Sequence, residues 1–311
     1  MKNIITGGAG FIGSHLIDYL MNKGEEVICI DDFSTGSIEN ISHWIKNKNF
    51  KLIDHDITEP FFYKSDRIWN FACPASPIKY QKDPIKTAQI NFIGTYNVLE
   101  LAKKTGSKVL MASTSEIYGD PKVSPQSESY LGSVNTIGIR SCYDEGKRIA
   151  ETLCYDYERI HKLDIRLVRI FNTYGPRMLE NDGRVISNFI PQAIRGKPLT
   201  IYGKGSQTRS FCYIEDLIEG LILLMDSQYT KPINLGNPEE LNIKELGEII
   251  CKMLGKVSNF EFSKLPQDDP LQRKPDISLA YKELKWSPKT SLKSGLEKTI
   301  HYFSKRISNE N

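Results

Sequence analysis

Eight residues near the start of the chain constrain its fold most: Thr6-Gly7-Gly8-Ala9-Gly10-Phe11-Ile12-Gly13. They follow a short apolar run, Lys2–Thr6. They open a segment, Phe11–Lys23, in which Ile12, Leu16, Ile17 and Leu20 recur at helical spacing. A strand therefore passes into a helix through a turn almost free of side chains. Gly7, Gly10 and Gly13 fit one glycine spacing, and Gly8, Gly10 and Gly13 fit a second. Both serve one end: backbone N–H groups at a helix N-terminus can meet a pyrophosphate that a side chain would hold away. Turn glycines without a ligand are common, so it is the place between first strand and first helix that gives the motif weight.

The rest of the first half alternates. Strand patterns cover Glu26–Asp31, Phe50–Asp54, Arg67–Ala72, Lys108–Ala112 and Asp164–Ile170, with helix patterns at Ile85–Lys104 and Cys142–His161. Such alternation implies an α/β chain: a Rossmann-type, doubly wound parallel sheet covered on both faces. After about Thr173 the rhythm loosens. Turn signals cluster at Gly175-Pro176, Asn181-Asp182-Gly183, Gly196-Lys197-Pro198 and Gly203–Gly205. Helices are expected at Val185–Arg195, Ile214–Met225, Ile243–Leu254 and Leu292–Lys305, in a smaller C-terminal α/β substrate lobe. The expected division is 1–172 as a dinucleotide-binding domain and 173–311 as mainly the substrate lobe, with some segments returning to the first sheet. Ser308–Asn311 is polar and expected to fray.

Charge excludes one class of partner. Basic residues number 41 against 38 acidic ones, a net +3, so no concentrated basic face for nucleic acid is expected. A local positive pocket remains compatible with a diphosphate. No apolar run reaches the length of a membrane span, and the N-terminus reads as a folded strand rather than a signal peptide. The six cysteines show neither metal-ligand nor redox spacing, so free thiols in a reducing cytosol and no metal site are expected.

Two places beyond the glycine turn carry chemistry. The second strand ends in Asp31-Asp32, where a carboxylate can accept from a ribose diol and would repel a 2′-phosphate, favouring NAD over NADP. Loop aspartates that cap the next segment would look the same. Asp56-Ile57 stands where it could flank an adenine, although a turn aspartate explains it almost as well. Tyr143 and Lys147 share one helix face at i and i+4. A nearby ammonium would lower the phenol pKa and make Tyr143 a base for a sugar hydroxyl. Chance also supplies such pairs. Ser113-Thr114-Ser115-Glu116, at the carboxyl end of the Lys108–Ala112 strand, changes the balance, because ligands of open α/β sheets sit beyond such ends.

The glycine turn, the hydroxyl-bearing strand end and Tyr143-x-x-x-Lys147 together resemble the extended short-chain dehydrogenase/reductase family, over nearly the whole chain. That resemblance implies a triad of Thr114, Tyr143 and Lys147. It also implies an NAD site that includes Gly7, Gly10, Phe11, Ile12, Gly13, Asp31, Asp32, Asp56, Ile57, Tyr143 and Lys147. Narrower segments are similar to UDP-glucuronate decarboxylases (UDP-xylose synthases). These are Ala72–Pro77, Thr114–Gly119, Cys142–Arg148, Phe171–Met178, Asp268-Asp269-Pro270 and Arg273–Asp276. By this resemblance Glu116 and Arg273 flank a sugar carboxylate. Ser115, Asn172, Arg184, Tyr202, Arg209 and Tyr213, again with Arg273, are candidates for the rest of UDP-glucuronate. UDP-xylose would be the product, NAD would stay bound, and a homodimer would form through the helices at 85–104 and 142–161. Related 4,6-dehydratases carry an Asp-Glu pair at the strand end, where this chain has Ser115-Glu116. A 4-epimerase needs no Glu116–Arg273 pair. A module that only senses NAD would not need Tyr143 as a base.

Overall fold

The computed structural model describes residues 1–268 and 272–309. Strands β1 (Lys2–Thr6), β2 (Glu26–Asp31), β3 (Phe50–Asp54), β4 (Arg67–Asn70), β5 (Lys108–Thr114) and β6 (Ile165–Ile170) join the strand Ile233–Leu235 in one sheet. All its pairings are parallel. The order is Ile233–Leu235, β6, β5, β4, β1, β2, β3. The chain thus winds from β1 to one edge, returns to β4 and winds outward to the other. The reversal between β1 and β4 opens a crevice beyond the carboxyl ends of the strands.

Period-two alternation divides each strand between two cores. Ile5, Val27, Cys29, Trp69, Leu110 and Val168 face one apolar cluster. Ile4, Ile28, Ile30, Ile68, Val109 and Leu167 face the other. Burial on both faces is why these strands read as nearly continuous apolar runs. The helices include α1 (Phe11–Asn22), α2 (Pro77–Lys82), α3 (Pro84–Gln89), α4 (Thr95–Thr105), α5 (Ser141–His161), α6 (Val185–Ile194) and α7 (Ile214–Asp226), followed by Ile243–Met253, Ser278–Leu284 and the C-terminal helix Leu292–Ser308. Leu16, Ile17 and Leu20 of α1 join Leu217, Leu221 and Leu224 of α7 in the first cluster. Val98 and Leu99 of α4 and Ala150 and Cys154 of α5 fill the second.

The helix expected at Ile85–Lys104 is split. α3 begins after Asp83, whose side chain accepts from Lys86 N at 3.0 Å, and α4 ends at Gly106 in the left-handed region. Between them Ile90–Gly94 is π-helical. Its widened turn lies where neighbours press closely: a Cβ on Gly146 would sit 2.8 Å from Asn91 Nδ2, and one on Gly94 would sit 2.5 Å from Ile57 Cδ1. β5 outruns its expected end because Ser113 and Thr114 still pair with Arg169 and Ile170. β4 stops at Asn70, short of Ala72.

The later segments build small sheets. Leu199–Tyr202 pairs with Phe260–Ser263, and Thr208–Ser210 lies between Glu240–Asn242 and Gln272–Arg273. Phe189, Ile201 and Leu246 belong to the same apolar cluster as α1 and α7, so these segments pack onto the core of the large sheet. The C-terminal helix remains regular through Ser308, because Phe303 and Ile307 are buried. Asp269 and Pro270, singled out above, and Glu310 and Asn311 lie outside the described residues. No described helix is long and apolar enough to cross a membrane.

Candidate active site

The glycine turn lies at the crevice. Gly7 has φ +69°, and a Cβ there would stand 2.8 Å from Ala72 N. A Cβ on Gly13 would press into the Gly7 carbonyl oxygen and come within 2.8 Å of Gly8 Cα. Gly10 caps α1 without a side-chain acceptor, and the first turn of α1 holds no acidic residue. Its leading N–H groups therefore have no side-chain partner, which fits them to a diphosphate. Asp31 braces this turn: Oδ2 accepts from Ala9 N at 2.8 Å and Oδ1 from Phe33 N at 2.9 Å. Burial raises its pKa, against those two N–H groups. Asp32 is exposed and accepts from Ser34 N at 3.0 Å. Asp56 accepts from Thr58 N at 2.9 Å and from Lys86 Nζ, beside buried Ile57. Gly7, Gly10, Gly13, Asp31, Asp32, Asp56 and Ile57 line one cleft. Gly13→Ala is expected to lose about 1–3 kcal/mol of stability by overpacking and to weaken NAD binding. Urea unfolding and a fluorescence titration check it; an unchanged affinity would remove the close-approach argument.

β5 and α5 bring the next group. Thr114 Oγ1 accepts from Glu116 N at 3.3 Å and caps the 3-10 turn Ser115–Tyr118. Ser113 points the other way and donates to Glu151 Oε1 at 2.5 Å. Glu151 in turn accepts from Arg169 Nη2 at 2.8 Å. Tyr143 and Lys147 are both buried. The Tyr143 ring stacks on Tyr80 at 5.0 Å between centroids and 5° between planes. Lys147 Nζ donates to Ala112 O at 2.9 Å and lies 5.9 Å from the Tyr143 ring centroid. The expected lowering of the phenol pKa is not what this geometry gives. Burial pushes Tyr143 well above its ordinary value, Cys73 adds to the rise, and a hydrogen bond with Thr114 opposes it. Burial also lowers Lys147. Desolvation wins because the ammonium is aimed at the β5 backbone.

The third group is ionic. The short strand Gln272–Arg273 runs parallel to Thr208–Ser210, with Arg273 opposite Arg209. Arg273 is not a surface arginine: it is 1% exposed. Its Nη1 donates to Ser115 O and its Nη2 to Glu116 Oε2 at 3.1 Å. Arg140, at the start of α5, donates from Nη2 to the same oxygen at 2.5 Å. Burial alone would raise the Glu116 pKa, but the Arg273 and Arg140 guanidiniums hold it down at about 2.

A family model described as GDP-mannose 4,6 dehydratase matches residues 4–299. UDP-glucuronic acid decarboxylase 1 of Xenopus tropicalis is 53% identical over 307 residues, 99% of this chain and 73% of that relative. The chain belongs to the extended short-chain dehydrogenase/reductase family. UDP-glucuronic acid decarboxylase 6 of Arabidopsis thaliana is 55% identical over 297 residues, 95% of this chain and 87% of that one. Among solved structures, a UDP-glucuronic acid 4-epimerase from Bacillus cereus, in complex with UDP-glucuronic acid and NAD, superposes with a TM-score of 0.89. It is 32% identical, over 98% of this chain and 100% of that one.

Within this short-chain dehydrogenase/reductase cleft, Asn172, Arg184, Tyr202 and Arg209 line the wall contributed after β6. Arg184 Nε donates to Asp182 Oδ2 at 2.8 Å, with its guanidinium 5.9 Å from the Phe11 ring centroid. Tyr213 is a correction. It does not line the cleft but is 2% exposed, edge-on to Tyr174 at 5.5 Å. A Cβ on Gly295 would stand 2.8 Å from its ring, so the C-terminal helix holds it in the core. Sequence reasoning missed Arg140, Tyr80 and Cys73, which also line the cleft. Arg140 stands three residues before Tyr143, a spacing that could have marked it. No pattern singles out Tyr80.

Proposed function

We propose that this chain converts UDP-glucuronate to UDP-xylose and CO2 by oxidation, decarboxylation and re-reduction around a bound NAD. The observation that carries the reading is the buried Glu116–Arg273 pair in the same cleft as Thr114, Tyr143 and Lys147. The names of the relatives and their similarity over nearly the full chain support it.

A sugar carboxylate loses CO2 only when the electrons left behind have a sink. A ketone at C4 is that sink, because C5 then becomes the carbon next to a carbonyl. The glycine turn, with Asp31 and Asp32 at the end of β2, would hold NAD, which when bound would supply the two-electron exchange at C4. Its cationic ring would also add positive charge beside the buried phenol. Tyr143 takes the C4 hydroxyl proton, and Thr114 shares that hydrogen bond. Lys147, fixed to Ala112 O, stands near the ring without by itself lowering the phenol, so bound NAD would have to supply the charge that favours phenolate. Arg273 orients the sugar carboxylate through paired donors. It must not hold that group more tightly than the transition state, since only the difference accelerates loss of CO2. Glu116 places negative charge near C5. Arg184, Arg209, Asn172, Ser115 and Tyr202 serve the UDP end and the sugar.

Two further readings of the same chain are part of the proposal. The exposed apolar side chains Ile85 on α3, Phe92 on the π-helical turn, Tyr96 on α4, and Ile149 and Ile160 on α5 support a dimer through these elements. Six unpaired cysteines support a cytosolic location. The reading with a specific rival is the 4-epimerase, favoured by the Bacillus cereus neighbour. Incubation with UDP-glucuronate separates them. CO2 and a UDP-pentose are the expected products; a uronic acid epimer with no gas would give the reaction to the rival, and an unchanged sugar would leave only an NAD sensor.

A further inference from the structure

The Ser113 hydroxyl, at the end of β5, takes no part in the chemistry above. It donates to Glu151 Oε1 at 2.5 Å. Glu151 stands one helical turn beyond Lys147 on α5, so the two share a face. Both of its carboxylate oxygens are held by Arg169 of β6, which donates from Nε to Oε1 at 3.1 Å and from Nη2 to Oε2 at 2.8 Å. Ser113 and Arg169 are partners in the register of β5 and β6. One carboxylate on α5 therefore clasps two adjacent strands at the same level of the sheet. The remaining guanidinium nitrogen, Nη1, donates to Tyr118 Oη at 3.0 Å and to Glu128 O at 2.9 Å. Ser113, Glu151 and Arg169 are all buried, and neither Glu151 nor Arg169 lines the cleft. Stability alone does not call for such a pair, because apolar side chains of similar volume often fill a buried place as well. What a forked ion pair adds is fixed geometry.

We propose that Glu151, clasped by Ser113 and Arg169, is a positioning residue that fixes α5 against the end of β5 and so sets the placement of Tyr143 and Lys147 relative to Thr114. The inference rests on the proposed function, in which those three residues carry the proton step. Two bonds cross the seam from α5 to consecutive residues of β5: Lys147 to Ala112 O, and Ser113 to Glu151. The next residue along the strand is Thr114. The second bond is the one anchored in β6, through Arg169. Tyr143, Lys147 and Glu151 follow one another at intervals of one helical turn, so a helix held at Glu151 carries the other two with it. Tyr143 and Thr114 share a hydrogen bond across the seam. Misplacing such groups by about 1 Å can cost about a hundredfold in rate, even when the change lies away from the reacting atoms. Burial lowers the Lys147 pKa, and Cys73, Cys154 and Glu151 oppose that fall, so the clasp also keeps a carboxylate near the ammonium.

Steady-state and single-turnover kinetics of the NAD-loaded protein on UDP-glucuronate test this. Glu151→Gln is the direct variant, but it leaves a buried guanidinium short of its counter-charge and so endangers folding. Ser113→Ala keeps the Glu151–Arg169 ion pair and removes only the tie to β5. It is expected to lower kcat about tenfold and to change KM by less than about twofold, the signature of a loss confined to the chemical step. Reduction of the bound NAD, followed by its near-ultraviolet absorbance, should slow by the same factor. Tyr118→Phe is the comparison: it takes a hydroxyl from the same Arg169 without touching the α5–β5 seam, and its kcat should stay close to wild type. Ser113→Ala with an unchanged kcat would overturn the proposal. So would an equal loss in Tyr118→Phe, since the network would then serve general stability and not the placement of the triad. Failure of the decarboxylase reading registers separately, as wild-type protein that reduces its NAD but releases no CO2.

Discussion

Replacing Tyr143 by phenylalanine is expected to lower turnover of UDP-glucuronate about a thousandfold or more, while NAD stays bound. The substitution removes one oxygen and leaves the ring stacked on Tyr80, so the local packing persists. Lys147 keeps its bond to Ala112 O, and the glycine turn is untouched. Loss of the group that accepts the C4 proton then acts on the chemical step alone. The burial that raises the phenol pKa makes the point sharper. Such a group serves as a base only when nearby positive charge favours its phenolate, and phenylalanine offers no oxygen to which that charge can speak. Single-turnover kinetics and the nucleotide content of heat-released cofactor measure the two halves. Full activity in Tyr143→Phe would end its role as the base, and loss of NAD would mean that the variant reports on binding instead.

Arg273→Ala should remove processing of UDP-glucuronate and also cost about 3 kcal/mol of folding stability. The stability effect follows from burial: Arg273 is 1% exposed, and Glu116 would lose one of its two cationic partners. The double variant Arg273→Ala with Glu116→Ala should be less destabilised than the sum of the singles, because it leaves no buried carboxylate short of charge. Additive losses in urea unfolding would show that the pair is not coupled. The acid limb gives an independent check. Glu116 ionises more readily in the folded chain, with its pKa lowered from 4.5 to about 2. Its contribution to stability is therefore complete above 4.5 and lost as pH falls from there toward about 2. Without Arg273 that lowering shrinks, and the loss should begin and finish within a narrower, less acid window.

The chain's order of strands and helices was legible before any coordinates. Residues such as Ile4 and Ile5 carry it, since a strand buried on both faces must be apolar at successive positions, and helices must be apolar every third or fourth. The glycine turn was legible for a similar reason: Gly7 takes a positive φ and Gly13 crowds Gly7 and Gly8, so a missing side chain meets a local demand, although the contact of Gly7 with Ala72 comes only with the fold. The 3-residue strand Ile233–Leu235 was not legible, because its pairing with β6 leaves no periodicity to read. The sites divide in the same way. Tyr143 and Lys147 stand one helical turn apart, so their shared face follows from the sequence. Their electrostatics does not, because burial depends on what the rest of the chain packs around them.

What the sequence by itself determined is whatever neighbouring residues impose on one another: the alternation of elements, the glycine turn at the start of α1, and the facing of Tyr143 and Lys147. What only the tertiary structure decided is whatever joins distant segments. It brought Arg273 from 157 residues away onto Glu116, added Arg140 and Asp144 to the same cluster, and packed Tyr213 into the core instead of the cleft. The physical reason is range. Backbone geometry and side-chain periodicity act over a few residues, whereas desolvation and charge pairing act through space and have no value until the chain has closed around them.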